Sequence, residues 1–173
     1  MGPAPTDAAT LRHLTLRYHE LASADQLGPA ERQVWEAARA ATAHAYAPYS
    51  RFHVGAALLL ADGTLVQGTN QENAAYPSGL CAERTLLFGL AGGRPAPPPH
   101  IVGMAVAARP AAGDFGPALP CGACRQVMLE YEVRQRQPIW LLLPSVNGTI
   151  LRFEQLADLL PFHFSATDLP PRA

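Results

Sequence analysis

The sequence predicts an α/β fold: a three-layer α/β/α domain built on a mixed, mainly five-stranded sheet. Three observations lead there. Segments with helical periodicity alternate with short buried apolar runs, an Asp-Gly pair joins two of those runs as a hairpin, and two short cysteine-bearing runs each lead into a helical pattern.

The elements follow in chain order. Residues 1–28 read as an N-terminal extension, a Pro/Ala-rich and disordered tail followed by a short helix over residues 11–22. Gly28-Pro29 then opens an amphipathic helix, with Pro near its first position and Val34, Trp35, Ala38 and Ala41 on its apolar stripe; it runs to Tyr46, and Pro48 ends it. The apolar run 54–61 is a strand, because Asp62-Gly63 supplies a two-residue turn that pairs it with residues 64–69. Asn70 and Glu72 follow, pointing the same way if the strand persists. Residues 85–90 and 126–133 are the helices behind the two cysteine runs. The Gly/Pro-rich residues 92–99 form a loop, 101–107 a buried strand, and 114–119 a second loop. Residues 139–143 form another strand, turned by Asn147-Gly148 into 149–153, and 154–160 form a short helix. Residues 29–165 make up the domain proper, and residues 166–173 are a C-terminal tail.

Composition narrows the function. A chain of 173 residues with 49% hydrophobic residues is one domain's worth of core. The net charge is −1 and every basic residue is Arg, with no basic stripe to draw the chain onto nucleic acid, so a free small molecule is the better partner. No run is apolar and long enough to span a membrane, and the first residues lack the order of a signal peptide. Cysteines used as reduced metal ligands fit a cytoplasmic location.

All three cysteines fall in Cys81-Ala82-Glu83-Arg84 and Pro120-Cys121-Gly122-Ala123-Cys124-Arg125, leaving none over for a disulfide. Three thiolates bind Zn2+ and leave one tetrahedral position for water, where a closed structural site has four protein ligands. A helix start favours the ionised thiolate, and Cys121 and Cys124, three apart, share a face. Glu83 is placed to carry a proton for that water. Arg84 and Arg125 are assigned to offsetting the charge of the thiolates. A lone C-x-x-C also fits a redox pair; C-x-E joined to P-C-x-x-C is far more specific.

On these motifs the chain resembles the small, homotetrameric, three-cysteine cytidine deaminases, over about residues 30–164. The stretch from Ala47 to Ala57 is similar to that family's first helix-to-strand passage, and Asn70-Gln71-Glu72-Asn73-Ala74-Ala75-Tyr76 to its ribose-binding run. The resemblance implies zinc on Cys81, Cys121 and Cys124, Glu83 as proton shuttle, and Arg84 hydrogen-bonded to thiolates. It implies Phe52 against the pyrimidine, Asn70 and Glu72 on the ribose, and the Leu119 carbonyl receiving the leaving ammonia. Phe164 would enter a neighbouring subunit's site, and the N–H of Ala82, at a helix start, can hold the O2 carbonyl. The chain departs from the pattern at Gln71, at Leu119 and at Phe162-His163. Hydrolysis of cytidine or deoxycytidine to the uracil nucleoside plus ammonia follows. The competing functions are a deaminase of another cytosine nucleoside such as blasticidin S, a non-catalytic zinc-stabilised binding module, and a polynucleotide editor.

Overall fold

A computed structural model describes residues 10–92 and 99–170. The disordered tail expected at the start of the chain, most of the loop expected at 92–99 and the last residues lie outside them. Six strands form one sheet: β1 (His19–Leu21), β2 (Phe52–Leu60), β3 (Leu65–Thr69), β4 (Ile101–Pro110), β5 (Trp140–Pro144) and β6 (Ile150–Phe153). Their order is β1-β6-β5-β4-β2-β3. Only β4 and β5 run parallel; the other neighbours are antiparallel, which makes the sheet mixed as expected.

The layers follow from the period-two alternation of β2. Ala57 and Leu59 face α1 (Pro29–Ala41) and pack with Val34, Trp35 and Ala38; Ala56, Leu58 and Leu60 face α2 (Ala82–Ala91) and α3 (Gly122–Gln135) and pack with Leu86, Leu90 and Met128. Gly55 permits the close approach of α1, since a Cβ there would lie 2.2 Å from the Ala38 carbonyl oxygen. The β2–β3 hairpin turns at Gly63, whose φ of 85° is the left-handed conformation glycine adopts without strain.

Three expectations are corrected. The helix over 11–22 does not form: its last residues are the edge strand β1, and residues 10–18 carry no regular structure. Pairing of His19–Leu21 with the open edge of β6 overrides the local helical period, and Glu20 accepts a 2.6 Å hydrogen bond from the Thr149 hydroxyl. This strand is also why the sheet has six members. Helix α1 stops at Ala41, short of Tyr46, because a 3-10 turn over Thr42–His44 redirects the chain so that Tyr46 bridges to Gln71. The short helix expected over 154–160 is a 3-10 turn, Leu156–Leu159.

Glu31 fastens α1 to the far side of the sheet. Its carboxylate accepts from the N–H of Gly28 at 2.9 Å, capping α1, and from the Arg152 guanidinium of β6 at 2.5 Å. Burial pushes the Glu31 carboxyl up, but the Arg152 hydrogen bond and the Gly28 N–H outweigh it and hold the group below its usual 4.5. A depressed folded-state value means that the ionised form stabilises the fold above the ordinary carboxylate range and ceases to as pH falls through the folded value. Glu31→Gln is therefore expected to cost about 1 kcal/mol at pH 7. In urea unfolding series, that deficit should shrink steadily below the usual 4.5; a deficit independent of pH would contradict the assignment.

Candidate metal centre and substrate cavity

The two cysteine runs converge because α2 and α3 lie side by side on one face of the sheet with their N-termini at the same end. Cys81 is the N-cap of α2 and Cys121 the N-cap of α3, both with extended backbone, while Cys124 sits in the first turn of α3 and is fully buried. The sulfurs of Cys81 and Cys121 are 3.9 Å apart and those of Cys121 and Cys124 are 3.4 Å apart; all three lie within 4.8 Å of one another. Sulfurs bound tetrahedrally to one zinc at the usual bond length stand about 3.8 Å apart. The three thiols are thus gathered close to the spacing that zinc needs, and the chemistry of an all-sulfur set suits that ion. The chain has no free disulfide partner to offer as an alternative, all three cysteines being in this cluster.

The charge around the sulfurs supports the same use. Cys81 is pulled down to about 5, chiefly by a hydrogen bond from the Cys124 thiol, against the opposing effect of burial and with help from the Arg84 guanidinium. Cys124 is pushed up by the same hydrogen bond, by burial and by the charge of Glu83. Arg84 thus stands where it was expected, against the sulfurs. Arg125 donates from Nε to the Pro120 carbonyl at 2.9 Å and from Nη1 to the Leu159 carbonyl at 3.2 Å. It thereby ties the start of α3 to the C-terminal segment. Sequence reading missed this because both acceptors are backbone carbonyls, which leave no mark in the side-chain pattern.

Glu83 lies in the first turn of α2 and is only 4% exposed, yet it lines the cavity. Burial, with the nearby Cys81, raises its carboxyl above the ordinary range. Ala82, the first helical residue, is fully buried, and its N–H is one of the first-turn donors without an intrahelical acceptor.

A cavity of about 820 Å³ opens above this floor. Phe52, Asn70, Glu72 and Leu119 line it together with Cys81, Cys121 and Glu83, so most of the expected site residues are brought together. Asn70 accepts from the Val54 N–H and donates to the Phe52 carbonyl, both at 2.9 Å, and so fixes the strand start that presents the Phe52 ring. One oxygen of Glu72, Oε2, accepts from the N–H groups of Tyr49 at 2.9 Å and Ser50 at 3.2 Å. A hydrogen bond from the Ser50 hydroxyl, with these two N–H groups, holds the Glu72 carboxyl below its usual value against the opposing effect of burial. Both residues thus build the cavity wall with part of their capacity. Phe164 is not among the residues lining this cavity; its ring is 59% exposed and its carbonyl accepts from Gln126 at 2.8 Å. Tyr49 and Tyr76, both lining the cavity, form an edge-on pair with ring centroids 5.9 Å apart.

Residues 30–137 match the model of the cytidine and deoxycytidylate deaminase zinc-binding region. The chain belongs to this deaminase family. It is 43% identical over 126 residues to a cytidine deaminase of Halalkalibacterium halodurans, spanning 72% of this chain and 86% of that protein. It is 40% identical over 132 residues to a cytidine deaminase of Mycobacterium tuberculosis, spanning 75% and 86%. Among solved structures, it is similar to the crystal structure of cytidine deaminase from Burkholderia pseudomallei, with a TM-score of 0.62 and 42% identity over 76% of this chain and 97% of that one. The family assignment makes zinc the cofactor of this chain, and the sulfur cluster is the place that fits it. Among the described residues no helix is long and apolar enough to cross a membrane.

In this deaminase, Asn70→Ala removes an acceptor and a donor at once and leaves the Val54 N–H, a partly buried donor, unpaired. The expected loss is about 2 kcal/mol in denaturant unfolding, accompanied by a higher KM as Phe52 loosens. An unchanged KM with the full stability loss would show that Asn70 serves the fold alone.

Proposed function

We propose that this chain is a cytidine deaminase that hydrolyses cytidine or deoxycytidine to the corresponding uracil nucleoside and ammonia. The observation that carries the reading is a buried carboxylate, Glu83, beside a three-sulfur cluster at the floor of an open cavity. Cys81, Cys121 and Cys124 hold the zinc, and the domain performing the reaction spans residues 29–165. The relatives named above carry the same activity in their names.

Bound zinc supplies Lewis acidity that makes hydroxide available at neutral pH. The residues of the chain do the rest. Glu83 accepts the proton of the attacking water and carries it to N3 of the ring as the new C4–O bond forms; burial, which favours its neutral form, suits it to both holding and releasing that proton. Negative charge that develops on the ring is directed toward O2, where the N–H of Ala82 at the start of α2 can meet it. Glu83 then takes the remaining proton from the new C4 hydroxyl and passes it to the departing amine, so that ammonia leaves and the C4 carbonyl forms as the C4–N bond breaks, next to the carbonyl of Leu119. Phe52 covers the pyrimidine face, and Asn70 and Glu72 orient the ribose with the hydrogen-bonding capacity their backbone contacts leave over.

The charge of the cavity favours a nucleoside over a nucleotide. The one cationic side chain among the described residues lining it is Arg84, which is directed to the sulfurs, so no guanidinium remains for a 5′-phosphate. We further read the enzyme as a cytoplasmic homotetramer in which Phe164 reaches a neighbouring subunit's cavity. What supports the assembly is the exposure of Phe162 and Phe164 on a segment tied down at Gln126 and Arg125.

Turnover of cytidine, deoxycytidine, cytidine 5′-monophosphate and blasticidin S, followed by ultraviolet absorbance, tests the reading. The two free nucleosides should be deaminated, the monophosphate at least about 100-fold less efficiently, because an unpaired dianion in that cavity is costly. Glu83→Gln should retain zinc and nucleoside binding while kcat falls about 1,000-fold. An active Glu83→Gln enzyme would remove Glu83 from its role, and preference for blasticidin S would transfer the chain to that substrate.

A further inference from the structure

The segment between β4 and α3 crosses the end of the sheet. Its one aromatic side chain, Phe115, packs with the α1-face cluster, while Ala118, three residues on, packs with the core beneath α2 and α3. Pro117, Ala118 and Leu119 then form one wall of the substrate cavity. The neighbours of Phe115 are small or flexible, and Gly113 has a φ of 145° that side chains rarely adopt. A loop of this composition has little of its own to fix its position.

One of its anchors is on the opposite layer. The guanidinium carbon of Arg39, in α1, lies 3.7 Å from the centroid of the Phe115 ring, a cation-over-ring contact at close range. Arg39 is itself steadied by Glu36 at 3.8 Å on the same helix, and Phe115 is partly buried. Beyond the ring, two backbone bonds continue the fastening: Gly116 N–H to the Ala108 carbonyl at 2.9 Å, and Ala118 N–H to the Pro144 carbonyl at 3.4 Å. The second is long, so the ring contact and the Gly116 bond hold the first half of the segment, while Arg125 of α3 holds its far end through the Pro120 carbonyl at 2.9 Å. The chain between Phe115 and Leu119 is too short to absorb movement of its anchor, and Pro117 stiffens it further.

We propose that Phe115 and Arg39 are positioning residues for deamination: held on the α1 face, they set the place of Leu119 on the other face, where the amine leaves. This rests on the deaminase reading given above. A displacement of the Leu119 carbonyl by about 1 Å acts on the departing amine and not on the ribose or ring contacts, which come from β2 and the segment after β3. The effect therefore falls on kcat and spares KM.

The test compares Phe115→Ala, Phe115→Leu, Phe115→Tyr and Arg39→Met by kcat and KM for cytidine, zinc content and thermal midpoint. Phe115→Ala and Phe115→Leu should lower kcat on the order of tenfold to a hundredfold, with KM within about twofold and zinc unchanged. Arg39→Met keeps an apolar stem under the ring but removes the charge, and should fall between these and the native enzyme. Phe115→Tyr keeps the ring and should restore turnover. If Phe115→Ala fails to fold, Phe115→Leu and Arg39→Met decide alone. Native kcat in both, a loss expressed in KM, or a loss that Phe115→Tyr shares would overturn the proposal. Native protein inactive on cytosine nucleosides would instead bring down the deaminase reading itself.

Discussion

The structure depends on the meeting of two helix N-termini over one end of a mixed sheet. Each contributes a cysteine as its N-cap, the second contributes another in its first turn, and three sulfurs fall within bonding reach of one cation. That meeting is costly without a metal, since three thiols and a buried carboxylate share a small volume in which at most part of the charge can be borne. The remainder of the fold can be understood as what holds the two helix starts together. Leu86, Leu87 and Leu90 of α2 and Met128 of α3 are buried on the same sheet face, which fixes the angle at which the helices approach.

The opposite face serves the site at a distance. Helix α1 never touches the cavity, yet it packs close to β2 through Gly55 and holds the β4–α3 loop through Arg39. The C-terminal segment is fastened in a similar way. Glu132 of α3 is buried and accepts from the N–H groups of Ile139, Leu156 and Ala157, so that one carboxylate joins α3 to β5 and to the turn preceding the last residues. With Arg125 and Gln126, a single helix carries two cysteines of the sulfur cluster at its start and holds the C-terminal segment as well.

How much of this could be read in the sequence depends on the range of the interaction involved. The cysteine spacing, the Glu83 offset and the Asp62-Gly63 turn are local, and each imposes a geometry that few residue types satisfy; they were legible. The apolar run of β2 was legible once that turn marked it as a strand, although its composition alone would also have suited a helix. The segment before β1 was misread because its helical period is real, while the competing edge of β6 lies near the other end of the chain and leaves no local trace. The tie made by Arg125 left no trace in the sequence, since its acceptors are carbonyls. Phe115 could not be found at all: one aromatic in an irregular loop gains meaning only when Arg39 is seen beneath it. The family resemblance added the roles of Phe52 and Leu119, which side-chain pattern does not supply.

The central claim is that Cys81, Cys121 and Cys124 hold one zinc and leave a position open. X-ray absorption at the zinc edge on the purified protein measures this directly. The account predicts three sulfur scatterers at about 2.3 Å and one oxygen at about 2.0 Å. A coordination shell of four protein ligands, or one lacking sulfur, would contradict it.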